Sequence, residues 1–181
     1  MPEIEIRPAV ADDIPLLMGL DHHYYSNYTW QIDINQDRDD SLIAIHFTKI
    51  RLPRLVQVEY PWSLNALAEN WLERSVILVA VLSGRPVAYV GLALTDQGLG
   101  TRVTDLAVDR PLRRQGIGSA LIWSSLEWAL QAGSRALVLE MQPKNDPAIQ
   151  LARKLGFEFF GYQDYHYPHQ ETGFYFGKRI V

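Results

Sequence analysis

The chemistry of this chain concentrates in one short run, Arg113-Arg114-Gln115-Gly116-Ile117-Gly118, with Arg110 before it and Ser119 after it. The run follows an apolar strand, Val103 to Val108, and opens a helix that continues to about Gln131. The first N–H groups of a helix have no internal acceptor and lie at the positive end of its dipole. Glycines allow a phosphate to approach the backbone, and arginines add charge. The run therefore reads as a cradle for a polyanion. Its plainer alternative is a Gly-rich helix start with solvated arginines.

Two familiar phosphate loops do not fit. There is no GxxxxGK[ST], which a P-loop requires. Gly116-Ile117-Gly118-Ser119-Ala120-Leu121 begins like a dinucleotide fingerprint, but Leu121 occupies the third glycine position, and Glu140 is a weak match for the acidic partner.

The elements that position the cradle follow from periodicity. Glu3 to Arg7 alternates as a first strand, and Asp12 and Asp13 open a helix from about Ala11 to Tyr24. Asp21 to Trp30 is aromatic and polar, and reads either as a loop covering the core edge or as a wall of a substrate site. Gln31 to Asp40 carries Asp33, Asp37, Asp39 and Asp40, read as a solvated acidic loop or as a field attracting a cation. Ile43, Ile45 and Phe47, then Leu55, Val56 and Val58, give strand-like pieces. Ser63 to Arg74 reads as a helix with Leu64, Leu67 and Leu72 on one side.

Val76 to Leu82 is a fully apolar strand, and Ser83-Gly84-Arg85-Pro86 a hairpin turn into a strand over Val87 to Leu94. Asp96 to Gly100 turns the chain back into the strand before the cradle. A strand at Ala136 to Gln142, a helix from Asn145 to Leu155, and strands near Phe157 to Tyr165 and Phe174 to Arg179 follow. The order β-α-β-β-β-α-β-α-β-β is that of an α/β sandwich. The helix from Gly116 is apolar over most of its surface, so it packs against a sheet and holds its N-terminus in place. Asn145 is a natural N-cap, with Pro147 tolerated in the first turn.

With 181 residues, almost half of them hydrophobic, one domain over residues 1–181 with its own core is expected. No apolar run is long enough to span a membrane, and MPEIEIRPA lacks the pattern of a signal peptide. The absence of cysteine excludes disulfides and thiolate catalysis and fits a cytoplasmic protein. A net charge of −4 argues against a nucleic-acid partner.

The cradle resembles the acyl-CoA loop of the GNAT N-acetyltransferases, whose signature [Q/R]-x-x-G-x-[G/A] stands here as Arg113-Arg114-Gln115-Gly116-Ile117-Gly118. A second element of that family is similar to Asn145-Asp146-Pro147-Ala148 followed by Leu155-Gly156-Phe157. Together they span roughly the last 80 residues. The resemblance implies a GNAT-like acyl-CoA N-acyltransferase fold: α/β, with a mixed, splayed central sheet and helices on both faces. It implies acetyl-CoA as co-substrate, its pyrophosphate on the N–H groups from Gln115 to Ser119, with Arg113 and Arg114 alongside. The pantetheine arm then adds beside the strand at Leu106, Ala107 and Val108, with small Ala107 giving room and Asn145 and Ala148 touching the arm.

The implied reaction is acetyl transfer to an amine. Asp105, on a face shared with Val103 and Ala107, and Glu140 are the candidate bases, Asp105 slightly favoured; each has a structural reading too. The Val108 N–H is the candidate oxyanion donor. Ala152 stands where many members of the family carry an acid tyrosine, so Tyr162 is expected to substitute, with Tyr165 and Tyr167 as alternatives. His166 and His169 supply at most two ligands, and no metal is assigned. Within the family the likeness runs closest to the streptothricin acetyltransferases, through DLAVDRPLRRQGIGSALIWSSLEWA and LVLEMQPKN. A small cationic amine is then the expected acceptor. A protein or peptide N-acetyltransferase and a non-catalytic acyl-CoA-binding module are the alternatives. A homodimer is left open.

Overall fold

A computed structural model describes residues 3–36, 41–63, 65–95 and 100–180. Nine strands are present among them: β1 Glu5–Pro8, β2 Tyr24–Gln36, β3 Ile43–Val58, β4 Val76–Leu82, β5 Arg85–Leu94, β6 Thr101–Val108, β7 Ala136–Met141, β8 Glu158–Tyr167 and β9 Glu171–Arg179. The α-helices are α1 Ile14–Met18, α2 Asn65–Glu69, α3 Ile117–Gln131 and α4 Asp146–Lys154. Seven strands form one mixed sheet in the order β1-β4-β5-β6-β7-β9-β8. β2 and β3 form a separate two-stranded ribbon.

The sheet is covered on both faces because its central strands are apolar on both. On one face Ile117, Leu121, Ile122 and Ala129 of α3 and Ile149 and Ala152 of α4 pack on Leu78, Ala80, Val90 and Leu139. On the other, Ile14, Leu17 and Leu67 pack on Val79, Val81, Tyr89 and Ala107. At the β4–β5 hairpin, Ser83 (φ 49°) and Gly84 (φ 79°) are both left-handed, as a type I′ turn demands.

The structure departs from the sequence expectations mainly in the first 74 residues. The first α-helix stops at Met18, and the segment expected to finish it is already strand by Tyr24. Tyr24, Tyr25, Tyr28, Thr29 and Trp30 are strand-forming residues, and they pair with β3 rather than loop over the core. Asp33 lies in β2; Asp37, Asp39, Asp40 and the expected turn over Asp96 to Leu99 lie outside the described residues. The expected 63–74 helix breaks into α2 and a single 3-10 turn at Trp71–Glu73. The ribbon's register shifts between Ser26 and Tyr28, where Pro53, which cannot donate to a ladder, is accommodated. The ribbon docks through Phe47, stacked at 4.6 Å on Trp30 and 4.8 Å on Phe159.

Two local events shape the centre. β6 and β7 pair in parallel only from Thr101↔Leu137 to Val103↔Leu139 and then part. A bulge between Gly91 and Leu92 of β5 leaves Thr104 as an extra residue in β6. The bulge corrects one expectation: Val103 joins the core under α3, whereas Ala107 joins the core under α1, so Asp105 does not share its face with Val103.

Candidate functional site

A cavity of about 420 Å³ occupies the opening between β6 and β7. One end is the N-terminus of α3, the middle is the free edge of β6, and the other end is aromatic.

At the first end Gly116 turns the chain at φ 93° and no side chain caps the helix. The first helical bond runs from Ala120 N–H to the Gly116 carbonyl, which leaves the N–H groups of Ile117, Gly118 and Ser119 without a helical acceptor. A Cβ on Gly118 would lie 3.7 Å from Leu151 and 3.8 Å from Val108, within the cavity wall, so the missing side chain keeps the backbone accessible. A diphosphate fits these donors. Ile117 contributes its N–H alone, its side chain being buried under the sheet.

The arginines divide. Arg114 lines the cavity and, among the described residues, makes no hydrogen bond or ion pair. Arg113 instead donates Nε to the Val108 carbonyl at 2.9 Å, Nη1 to the His23 carbonyl at 2.7 Å, and Nη2 to the Asp21 carbonyl. Arg113 lines the cavity too, but three of its five N–H groups are given to the backbone, so it shapes the wall more than it offers free charge. Gln115 bonds the Pro111 carbonyl at 3.2 Å and is not part of the cavity lining.

The edge of β6 follows from ladder alternation. Asp109 N–H bonds the Val87 carbonyl, which makes that pair hydrogen-bonded and, two residues on, Ala107–Tyr89 as well. Leu106 and Val108 therefore turn their N–H and C=O groups toward the opening, whereas Ala107 spends its own on β5. Arg113 reaching the Val108 carbonyl from that side agrees. Ala107 joins the core packed under α1 and also lines the cavity. From α4, Asn145 accepts Ala148 N–H at 3.1 Å as the N-cap, and both residues line the cavity. Lys154, which the sequence analysis did not single out, lines it as well.

At the aromatic end stand His22, Tyr24, Tyr60, Trp62 and Tyr167. His22 Nδ1 meets the Leu20 carbonyl at 2.8 Å, so that nitrogen carries the proton and Nε2 accepts the Tyr89 hydroxyl at 3.0 Å. Burial lowers the His22 pKa, whereas His23 is raised by its hydrogen bond to Asp21, with Glu59 adding to it. Tyr24 donates to Gln142 Oε1 at 2.9 Å, and Gln142 Nε2 donates to Glu171 at 2.7 Å.

The candidate carboxylates differ. The Asp105 side chain is only 2% exposed. Its Oδ1 accepts the Tyr60 hydroxyl, its Oδ2 accepts Arg74 Nε at 2.9 Å and Thr104 Oγ1 at 2.8 Å, and Arg74 Nη2 completes the ion pair at 2.8 Å from Oδ2. These donors hold Asp105 as a structural carboxylate at the cavity wall, the second of the two readings its sequence allows. Glu140 is held by His166 Nε2 at 2.7 Å and Arg102 at 3.3 Å, and it lines the cavity. Tyr162 pairs with Phe174 and packs against the core under α3, away from the cavity. Tyr165 is 73% exposed, and Tyr167 is the tyrosine of β8 that reaches the site. Burial raises the Tyr167 pKa, and the neighbouring charge of Glu140 adds to it, so the hydroxyl stays protonated.

Tyr60, Arg74, Gln142, Lys154 and His166 as a Glu140 partner were not found from sequence. The cluster Tyr60-Pro61-Trp62 was visible there, but no spacing tied it to Asp105.

Comparison with known proteins gives the same direction. The family model for the acetyltransferase (GNAT) family matches residues 42–157. The [ribosomal protein bS18]-alanine N-acetyltransferase of Escherichia coli (strain K12) is 31% identical over 110 residues, which span 60% of this chain and 72% of that protein. The streptothricin acetyltransferase of Streptomyces lavendulae is 25% identical over 163 residues, 87% of this chain and 82% of that one. The crystal structure of nourseothricin acetyltransferase superposes with a TM-score of 0.81 at 20% identity, covering 98% of this chain and 99% of the other.

Proposed function

The chain belongs to the GNAT family of acetyltransferases, and from that premise we propose that it acetylates a primary amine of a small cationic acceptor of the streptothricin kind. It is an acetyl-CoA-dependent N-acetyltransferase, with acetyl-CoA as co-substrate. The observation that carries the site assignment is the parting of β6 from β7 beside the uncapped start of α3.

In this reading the amides of Ile117, Gly118 and Ser119, with Arg114 and Lys154 beside them, take the phosphates. The arm runs along β6, passing Val108 first because it comes from the α3 end. The thioester then lies further on, near Leu106, so the oxyanion role expected of the Val108 N–H passes here to the Leu106 N–H, which points into the same opening. Asn145 and Ala148 flank the arm. A lysine-like amine of pKa ~10.4 leaves about one molecule in a few thousand as free nucleophile at neutral pH. Glu140, directed by His166 and Arg102, takes the proton. Tyr167 gives a proton to the departing thiolate; with a thiol pKa of ~8.5 that help is useful rather than obligatory.

The small acceptor is favoured by the aromatic end of the cavity, where Tyr24, Tyr60 and Trp62 flank Glu140 and the Tyr24–Gln142–Glu171 chain. Likeness to the streptothricin enzyme over 87% of this chain supports the same choice. The second reading is acetylation of a protein N-terminus, favoured by the 31% identity to the bS18 enzyme. Thiol release from acetyl-CoA with nourseothricin, a lysine series and a peptide with N-terminal alanine separates them. Nourseothricin is expected to be the best acceptor; release with the peptide alone would overturn the choice.

A further inference from the structure

We propose that Tyr60 is the residue that positions the acceptor amine, its hydroxyl oxygen accepting an N–H of the nucleophile, with Asp105 as the positioning residue behind it. The inference rests on the amine-acetyltransferase reading above.

A phenolic hydroxyl has one proton to donate and lone pairs to accept with. The Tyr60 proton is committed to Asp105 Oδ1, in a carboxylate shut off from solvent. What Tyr60 offers to the cavity is therefore acceptor capacity alone. Burial raises its pKa, with Asp105 adding to the effect, so the proton stays on the oxygen that the amine would meet. Tyr24, at the same end, has likewise given its proton to Gln142. A chamber of hydroxyl acceptors suits a group rich in N–H donors.

The arrangement is built into the sheet. Arg74 clamps Asp105 and also donates to the Asn70 carbonyl at 3.3 Å, tying the pair to the segment after α2. Gly91 makes room for it: a Cβ there would lie 2.6 Å from Thr104 Oγ1, 2.8 Å from Asp105 Oδ2 and 3.1 Å from Arg74 Nε. The bulge at Thr104 delivers the hydroxyl that completes the carboxylate's donors. These contacts fix one orientation of the carboxylate and, through it, one rotamer of the Tyr60 hydroxyl.

The test compares wild type, Tyr60→Phe, Asp105→Asn and the double variant, with nourseothricin, or whichever amine of the panel the wild type accepts, at saturating acetyl-CoA. Tyr60→Phe is expected to lower kcat/KM for the amine about tenfold or more, with the acetyl-CoA Kd by calorimetry held within about twofold. Asp105→Asn should act as strongly, and the double variant no worse than either single one. A Tyr60→Phe enzyme with wild-type kcat/KM, or one that loses acetyl-CoA as much as amine, overturns the inference whether or not Asp105→Asn folds. Additive losses overturn the part given to Asp105. A wild type that acetylates none of the panel overturns the amine reading first, and the inference with it.

Discussion

The indole Nε1 of Trp30 donates to Oδ1 of Asp146 at 3.0 Å. The other oxygen of that carboxylate takes Lys49 Nζ at 2.9 Å, so one side chain at the start of α4 fastens both strands of the β2–β3 ribbon. The same ribbon begins at Tyr24, and Tyr60 follows it two residues after its last. The anchor on the donor-side helix thus sets where the acceptor-side aromatics stand.

Replacing Asp146 by Asn should cost about 1.5–3 kcal/mol at neutral pH, the range for hydrogen bonds to a charged group. Burial alone would raise this carboxyl, but hydrogen bonds from Gln150, Lys49 and Trp30 outweigh it and hold it below its ordinary 3.8. Its contribution is then full above that value and lost as pH falls through the folded one. Urea titrations should show the gap between wild type and Asp146→Asn shrinking as the pH falls below the ordinary carboxylate value. A gap that persists in acid contradicts the assignment.

The two arginines of the loop should fail differently. Arg114→Ala is expected to weaken acetyl-CoA by about 1–3 kcal/mol and leave the melting temperature alone. Arg113→Ala strips the donors from the carbonyls of Val108, His23 and Asp21, and should lower the melting temperature first. Calorimetry and thermal melts on both variants decide; equal effects on both readouts would erase the distinction.

Tyr167→Phe should lower kcat about tenfold or more, and Tyr162→Phe should leave it near wild type. Steady-state rates with the preferred amine check the pair. The reverse ranking would return the acid role to Tyr162.

The readable parts of the chain were those whose signals are local. The seven strands of the main sheet, α3 and α4 follow from periodicity and caps, and the open turn into α3 from its glycines. The ribbon was harder, because β2 pairs with β3 across a register shift that only long-range packing on Phe47 and Asp146 selects. Arg113 reads as a ligand-facing charge because nothing local reveals that its acceptors are carbonyls about 90 residues earlier in the chain. Asp105 reads as a free base for a similar reason: Tyr60 and Arg74 arrive from other elements, and the bulge at Thr104 changes the face it occupies.

The central claim is that the opening between β6 and β7 holds acetyl-CoA against the first turn of α3. Amide chemical shifts followed by NMR while acetyl-CoA is added to the intact protein test it most directly. The account predicts the largest changes at Ile117, Gly118, Ser119, Leu106 and Val108, with Ala107 moving less because its N–H belongs to β5. Saturable binding that leaves those five amides unmoved would contradict it.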